Sequence, residues 1–270
     1  SVELSKSGSK LAWQNLPSRE WTWLGQTVEN VDKSTGVQTL EGEGGDDVLF
    51  GSTGADVLKS GEGNDLMIGD FAQVKFAADG MVASVTSKQT NKGGVDTITG
   101  LGGNHIVVGG QSADKITLGN GGNVVLGDSG VIDLKASTRK VTSISNFNEL
   151  TANPAGAGDT ITLGTGSNIV LGGTGGDTIT ASDVVASTNL ILGDHGSLTF
   201  SKSDANAHLL SSIVTTKATQ AEAAERSGDT ISLASGNAVV VAGAGDDQVT
   251  VSATASTSDT ERLIVGGHAE

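Results

Sequence analysis

The chain of 270 residues contains 40 Gly, 2 Pro, no Cys and no Tyr, with aromatics at 3%, so Leu, Ile and Val must supply the core through some repetitive burial of small aliphatics. Sixteen Lys and Arg against 31 Asp and Glu leave a formal net charge of −15, which repels nucleic acid and anionic membrane surfaces and attracts cations. The lack of Cys excludes disulfides and thiolate metal sites; no apolar run approaches the roughly 18 residues of a membrane helix, and no charged-then-apolar leader opens the chain.

Taken in order, Ser1-Val2-Glu3-Leu4-Ser5-Lys6-Ser7 matches Ser197-Leu198-Thr199-Phe200-Ser201-Lys202-Ser203, which places the chain's start in the middle of a repeating unit. Trp13, Trp21 and Trp23 crowd into the first hairpin of that unit, where local packing is expected, with a sugar-binding or partner-binding patch as the alternative. From Gly36 a nine-residue frame takes over. Gly36-Val37-Gln38-Thr39-Leu40-Glu41-Gly42 leads to Gly45-Asp46-Asp47-Val48-Leu49-Phe50-Gly51, then Gly54-Ala55-Asp56-Val57-Leu58-Lys59 and Gly63-Asn64-Asp65-Leu66-Met67-Ile68-Gly69. The same slot next falls on Asp96, His105, Asp114 and Asn123, then on Asp159, Asn168, Asp177 and Asn189, and last on Asp229, Ala238, Asp247 and Arg262. This makes sixteen slots in four groups of four.

A longer period overlies the first. Groups close with an apolar triplet and Gly-Asp, at Leu66-Met67-Ile68-Gly69-Asp70, Val124-Val125-Leu126-Gly127-Asp128 and Leu190-Ile191-Leu192-Gly193-Asp194; Leu263-Ile264-Val265-Gly266-Gly267 lacks the Asp. After each Gly-Asp comes alternating apolar and polar sequence: Ala72 to Phe76 with Met81 to Thr86, Val131 to Leu134 with Val141 to Ile144, and Ser197 to Phe200 with Ser212 to Thr215. These predict inserted β-hairpins. The expected organisation is four units, 1–72, 73–130, 131–196 and 197–270, forming one continuous solenoid excerpted from a longer array.

The nonad Gly-Gly-x-Gly-x-Asp-x-aliphatic-x, closest at Gly42 to Phe50, Gly51 to Lys59 and Ser60 to Ile68, resembles the repeat-in-toxin (RTX) family of calcium-binding repeats. The resemblance implies an all-β fold, a parallel β-roll or β-solenoid of nonapeptide repeats, here with inserted β-hairpins. In that family six residues turn, three form a strand, and two nonads make one coil. Gly frees the backbone to present carbonyls, and Asp adds the hard anionic oxygen that Ca²⁺ prefers. Several ions of Ca²⁺ are therefore expected, with Asp47, Asp56, Asp65, Asp96, Asp114, Asp159, Asp177, Asp229 and Asp247 as metal ligands.

If two nonads make a coil, alternate slots fall on opposite edges. One edge reads Gln38, Asp56, Asp96, Asp114, Asp159, Asp177, Asp229 and Asp247; the other reads Asp47, Asp65, His105, Asn123, Asn168, Asn189, Ala238 and Arg262. Calcium should line the first edge throughout and the second only near the start, with the Asn residues forming side-chain ladders. The competing reading makes each Asp a turn former that caps its own loop. Strands on the Asp edge alternate, as in Thr160-Ile161-Thr162, while those opposite are apolar on both faces, as in Ile169-Val170-Leu171. A strand apolar on both sides is covered on both sides, so one Thr face should be bare and the other overlaid by hairpins. Lateral assembly through an exposed apolar face is the alternative.

Gly127-Asp128-Ser129-Gly130 matches a serine-protease tetrapeptide but is one instance of the unit-closing Gly-Asp, and His105, His195, His208 and His268 show no ligand spacing; no catalysis is expected. Residues 221–226 suggest a single helical turn of no evident function. The resemblance implies export by type I secretion and folding outside the cell, hence an extracellular or cell-surface location. The expected function is a Ca²⁺-binding structural module of a large secreted or surface protein (adhesin, filament or S-layer-like), with neighbouring copies or repeats as partners, no nucleic acid and no membrane insertion. Alternatives are an export and folding carrier for a toxin or hydrolase and, through the Thr-x-Thr ladder, an ice-binding solenoid.

Overall fold

The computed structural model describes residues 4–6, 9–11, 27–30, 36–135, 138–147, 157–182, 187–201, 209–215, 227–234, 236–252 and 261–266. The three Trp residues, His208, His268 and the turn at 221–226 lie outside them.

Strands follow the nonapeptide frame, because Gly-rich sequence breaks the chain every nine residues and β-branched or Leu residues fill the gaps. The strands after the first set of slots form an eight-stranded parallel sheet: Thr39–Glu41, Val57–Lys59, Thr97–Gly100, Lys115–Leu118, Thr160–Leu163, Thr178–Ala181, Thr230–Leu233 and Gln248–Val251. The intervening strands form a second: Val48–Phe50, Leu66–Ile68, Ile106–Gly110, Val124–Asp128, Ile169–Leu171, Thr188–Leu192, Asn237–Val241 and Arg262–Val265. Register is strict, Ile116 lying between Ile98 and Ile161, and Val125 between Val107 and Val170. The chain thus winds through eight coils, and no helix occurs among the described residues.

Leu58, Ile98, Ile116, Ile161, Ile179 and Ile231 of the first sheet meet Leu49, Met67, Val107, Val125, Val170, Ile191 and Val240 of the second inside the roll. The residues flanking those Ile, such as Thr97, Thr160, Thr178 and Thr230, are exposed. Period two in each three-residue strand is therefore enough to separate a Thr face from an aliphatic interior.

The second sheet's outer residues, including Phe50, Ile68, Val108, Leu126 and Leu192, are equally buried, under Val74, Val85, Ile132, Ile144 and Leu198. These belong to the expected hairpins, Ala72–Phe76 with Val82–Ser87, Gly130–Leu134 with Val141–Asn146, and Gly196–Phe200 with Leu210–Thr215. The predicted cover over the apolar face is present, and the exposed-face alternative does not hold where hairpins lie over it. The hairpins also pair with one another, Val85 opposite Ile132 and Ile144 opposite Leu198. Together with Leu4–Lys6, Ser9–Leu11 and Thr27–Asn30 they form one nine-stranded antiparallel sheet. The stoichiometry explains the fit: a hairpin contributes two strands per unit and the roll two coils per unit, and both stack at about 4.8 Å. Cover and roll therefore grow in step.

Candidate metal centre

The first-edge slots form a continuous column. Asp56 Oδ1 accepts the Gln38 N–H at 2.6 Å, Asp96 Oδ1 that of Asp56 at 2.7 Å, and Asp114 Oδ1 that of Asp96 at 2.7 Å. Asp159, Asp177, Asp229 and Asp247 continue the ladder, accepting from Asp114, Asp159, Asp177 and Asp229 at 2.7 to 3.0 Å. The spacing is 18 residues where a coil is plain and 40, 45 and 52 where a hairpin intervenes. Each of these carboxylates holds the coil before it, and Asp56 in addition caps its own loop by accepting from Ser52.

One oxygen of each is thereby used. The Oδ2 atoms of Asp96, Asp114, Asp159, Asp177, Asp229 and Asp247 are buried and receive no hydrogen bond from the described residues, a costly arrangement for an ionised carboxylate. Burial pushes Asp96 up to about 8 and Asp229 to about 7, each with a neighbouring carboxylate adding to the rise. Asp114 is pushed up to about 11 by burial and then by Asp159; Asp159 is raised well above the ordinary range by burial and then by Asp128, and Asp177 by burial and then by Asp159 and Asp229. The orphaned oxygens of Asp96, Asp114, Asp159, Asp177 and Asp229 pack against Gly69, Gly109, Gly127, Gly172 and Gly193, each directly after an apolar triplet of the second sheet. A Cβ on Gly69, Gly127 or Gly193 would overlap Asp96, Asp159 or Asp229 Oδ2 and a backbone carbonyl of the next coil as well. Glycine is required here for space.

Hydrogen-bond acceptors without donors, on carboxylates that repel one another, fit a hard divalent cation. No three carboxylate, thiol or imidazole groups converge among the described residues. A cation on this edge would be held by one or two carboxylates, with carbonyl or water oxygens completing the shell.

The family description of the RTX calcium-binding nonapeptide repeat matches in four copies, over residues 34–71, 91–125 and 156–183. The chain carries RTX calcium-binding repeats. No curated protein and no solved structure matches it. The RTX coil geometry runs past the matched segments: Asp229 and Asp247 take the same place in the column as Asp177. The chain is accordingly a Ca²⁺-binding repeat module.

The second RTX edge has a different chemistry. Asp47 and Asp65 open it, Asp65 Oδ1 accepting the Asp47 N–H at 2.9 Å. Asp47 Oδ2 is buried without a donor, and burial with the nearby Asp65 raises this group to about 6. His105, in the next slot, places Nδ1 3.1 Å from Asp65 Oδ2, and Arg139, from the tip of a cover hairpin, donates to the Asn64 carbonyl at 2.7 Å. Beyond His105 the expected amide ladder is present: Asn123 Nδ2 donates to Asn168 Oδ1 and Asn168 Nδ2 to Asn189 Oδ1, both at 3.0 Å. At Ala238 that ladder stops, and at Arg262 the guanidinium donates to the Gly236 carbonyl.

Sequence reasoning passed over the unit-closing Asp70, Asp128 and Asp194 as punctuation. All three are buried on the first edge. Asp70 accepts the Gln111 N–H at 2.6 Å, while Asp128 and Asp194 take the corresponding N–H groups of Thr174 and Ala244. Their recurrence at the end of three groups was the available signal. Arg139 had none, standing 75 residues from its partner in an unrelated hairpin.

Proposed function

We propose that this chain is a calcium-dependent structural segment of a larger secreted or cell-surface protein, a stalk, filament or coat, with no chemistry of its own. The observation that carries the reading is the column of buried Oδ2 atoms without donors, from Asp96 to Asp247. Bound Ca²⁺ supplies the positive charge and the oxygen coordination that such a column lacks. At the low calcium of a cytoplasm the carboxylates oppose stacking; at millimolar calcium outside the cell they favour it. Folding would then be coupled to export, and Asp47, Asp65, Asp96, Asp114, Asp159, Asp177, Asp229 and Asp247 are the slots in which ligands are to be sought, whereas Asp56 Oδ2 already accepts from Ser52.

Far-UV circular dichroism of the chelated chain, titrated with Ca²⁺ to about 10 mM and with Mg²⁺ as control, tests this. A cooperative gain of strand signal specific to Ca²⁺ is expected. A chain already folded in chelator and indifferent to calcium would overturn the reading. Whether the segment serves a surface array or carries an exported enzyme depends on its neighbours: many more such units support the array, a catalytic domain the carrier.

One observation favours a second reading, an ice-binding face. Thr117, Thr162 and Thr180 stand in strict register on the bare sheet, continued by Ser232 and Thr250. Lys59 and Lys115 interrupt the pattern. Thermal hysteresis abolished by Thr162→Val and Thr180→Val would support this reading, and its absence in the unaltered chain would remove it.

A further inference from the structure

The turns of the plain coils exist in two forms on the first edge, and the difference lies in where the slot carboxylate finds its donors. In the turn Gly51 to Asp56, Ser52 donates both its N–H, at 2.6 Å, and its hydroxyl, at 3.2 Å, to Asp56 Oδ2. That carboxylate is internally satisfied, with Oδ1 on Gln38. In the turns Gly109 to Asp114 and Gly172 to Asp177, the place of Ser52 is taken by Gly110 and Gly173, at φ +122° and +123°. A side chain there would meet Asp70 or Asp128 Oδ2. The following amides, of Gln111 and Thr174, donate to Asp70 and Asp128, and Asp70 takes the Gly94 N–H on its other oxygen at 3.2 Å. No described residue donates to Asp114 or Asp177 Oδ2, although the two residues are only 2% and 1% exposed.

Two carboxylates from successive coils therefore flank neighbouring residues. Asp114 Oδ2 abuts Gly109 and Asp70 Oδ2 abuts Gly110; Asp177 Oδ2 abuts Gly172 and Asp128 Oδ2 abuts Gly173. Gly109 and Gly110, like Gly172 and Gly173, are chain neighbours with Cα atoms about 3.8 Å apart, so each pair of carboxylates lies against one short stretch of backbone. The turn Ala242 to Asp247 repeats the design: Gly243 at φ +115° lies under Asp194, Ala244 donates to Asp194, and Asp247 Oδ2 is buried without a donor.

We propose that Asp70, Asp128 and Asp194, which lie outside the nonapeptide slots, are the second carboxylates of three bridging cation sites completed by Asp114, Asp177 and Asp247, and that the Asp56 turn takes no ion because Ser52 occupies the slot Oδ2 that stays open at Asp114, Asp177 and Asp247. The proposal rests on the calcium-dependent reading above and assigns its sites: one strong site per hairpin-bearing unit, each stapling a hairpin-bearing coil to the plain coil after it. The hairpin's point of insertion is then also the source of a ligand.

Calcium binding to the whole chain, measured by isothermal titration with Ca²⁺ and by equilibrium dialysis, tests it with the variants Asp128→Asn, Asp177→Asn and Asp56→Asn. Asn at 128 keeps an oxygen for the Thr174 amide and removes only the charge. Asp128→Asn and Asp177→Asn should each abolish one strong site or weaken it at least about tenfold, while Asp56→Asn leaves the strong-site count unchanged. Full stoichiometry and affinity in Asp128→Asn, with one ion lost in Asp177→Asn, would make Asp128 a turn clasp and overturn the proposal while the calcium reading stands. Loss of an ion in Asp56→Asn would overturn the Ser52 argument. No calcium binding by the unaltered chain overturns both readings. Circular dichroism at saturating calcium verifies folding, and Asp70→Asn, at an equivalent site, replaces Asp128→Asn if that variant does not fold.

Discussion

His105 Nδ1 stands 3.1 Å from Asp65 Oδ2, with both side chains wholly buried. The pair ends the acidic stretch of the second edge with an imidazole in the position where the first edge keeps another carboxylate. Burial pushes Asp65 up, but His105 and the Asp47 amide outweigh it and hold the group below its ordinary 3.8. The stability from this depressed group is present above the unfolded value and is lost as pH falls below it.

Removing His105 leaves a buried carboxylate without its partner. His105→Ala should cost about 3 kcal/mol at neutral pH, as broken buried pairs do, and Asp65→Ala in the same chain should recover part of it. Urea midpoints of both variants in saturating calcium check this. An unchanged midpoint for His105→Ala would show the contact to be without energetic consequence.

The first edge has the opposite pH dependence. Asp229 and Asp96 rise to about 7 and 8 in the folded chain, and Asp70 to about 9, with burial the main cause in each. Between the unfolded value near 4 and these higher values the folded state binds more protons than the unfolded state, so stability falls as pH rises. In chelator, the chain should melt at a higher temperature at pH 4.5 than at pH 7.5, and calcium should reverse the order. Thermal melts by circular dichroism at both pH values decide it; a chelated chain more stable at pH 7.5 would refute the carboxylate argument.

Gly127→Ala places a methyl group against Asp159 Oδ2 and the Gly172 carbonyl, both on the next coil. Backbone cannot give way there without breaking the ladder, and a loss of at least about 3 kcal/mol is expected. Gly266→Ala, where no described residue lies within 4 Å, serves as the control and should change stability by less than about 0.5 kcal/mol. Equal effects on the two unfolding midpoints would mean that the glycines serve conformation rather than space.

Ile161 and Thr162 are chain neighbours on opposite faces of the first sheet, Ile161 fully buried in the roll and Thr162 exposed. Ile161→Ala should cost about 2–5 kcal/mol through the cavity it leaves. Thr162→Ala should stay within about 0.5 kcal/mol. Denaturant midpoints at saturating calcium measure both, and comparable losses would show that the Thr face is not bare in solution.

The repeat made the roll legible. Asp96, Asp114, Asp159 and Asp177 recur at fixed offsets before Ile98, Ile116, Ile161 and Ile179, so one frame of turn glycine, slot residue and apolar strand centre determined by itself the two parallel sheets, the bare Thr face and the face that needed cover. Local chemistry suffices for this, since turn preference and period two act within nine residues. Other features depended on distances that the sequence does not contain. Val85 met Ile132 of another hairpin because cover strands and coils share one stacking interval. Asp70 met Gln111, 41 residues on, and Arg139 met Asn64, 75 residues back. Whether a slot carboxylate was left without a donor was likewise settled in three dimensions: Ser52 satisfies Asp56, whereas the glycines at 110 and 173 leave Asp114 and Asp177 open. A repeat in sequence assigns each residue its place along a coil; which groups then share that place is decided by how the coils stack.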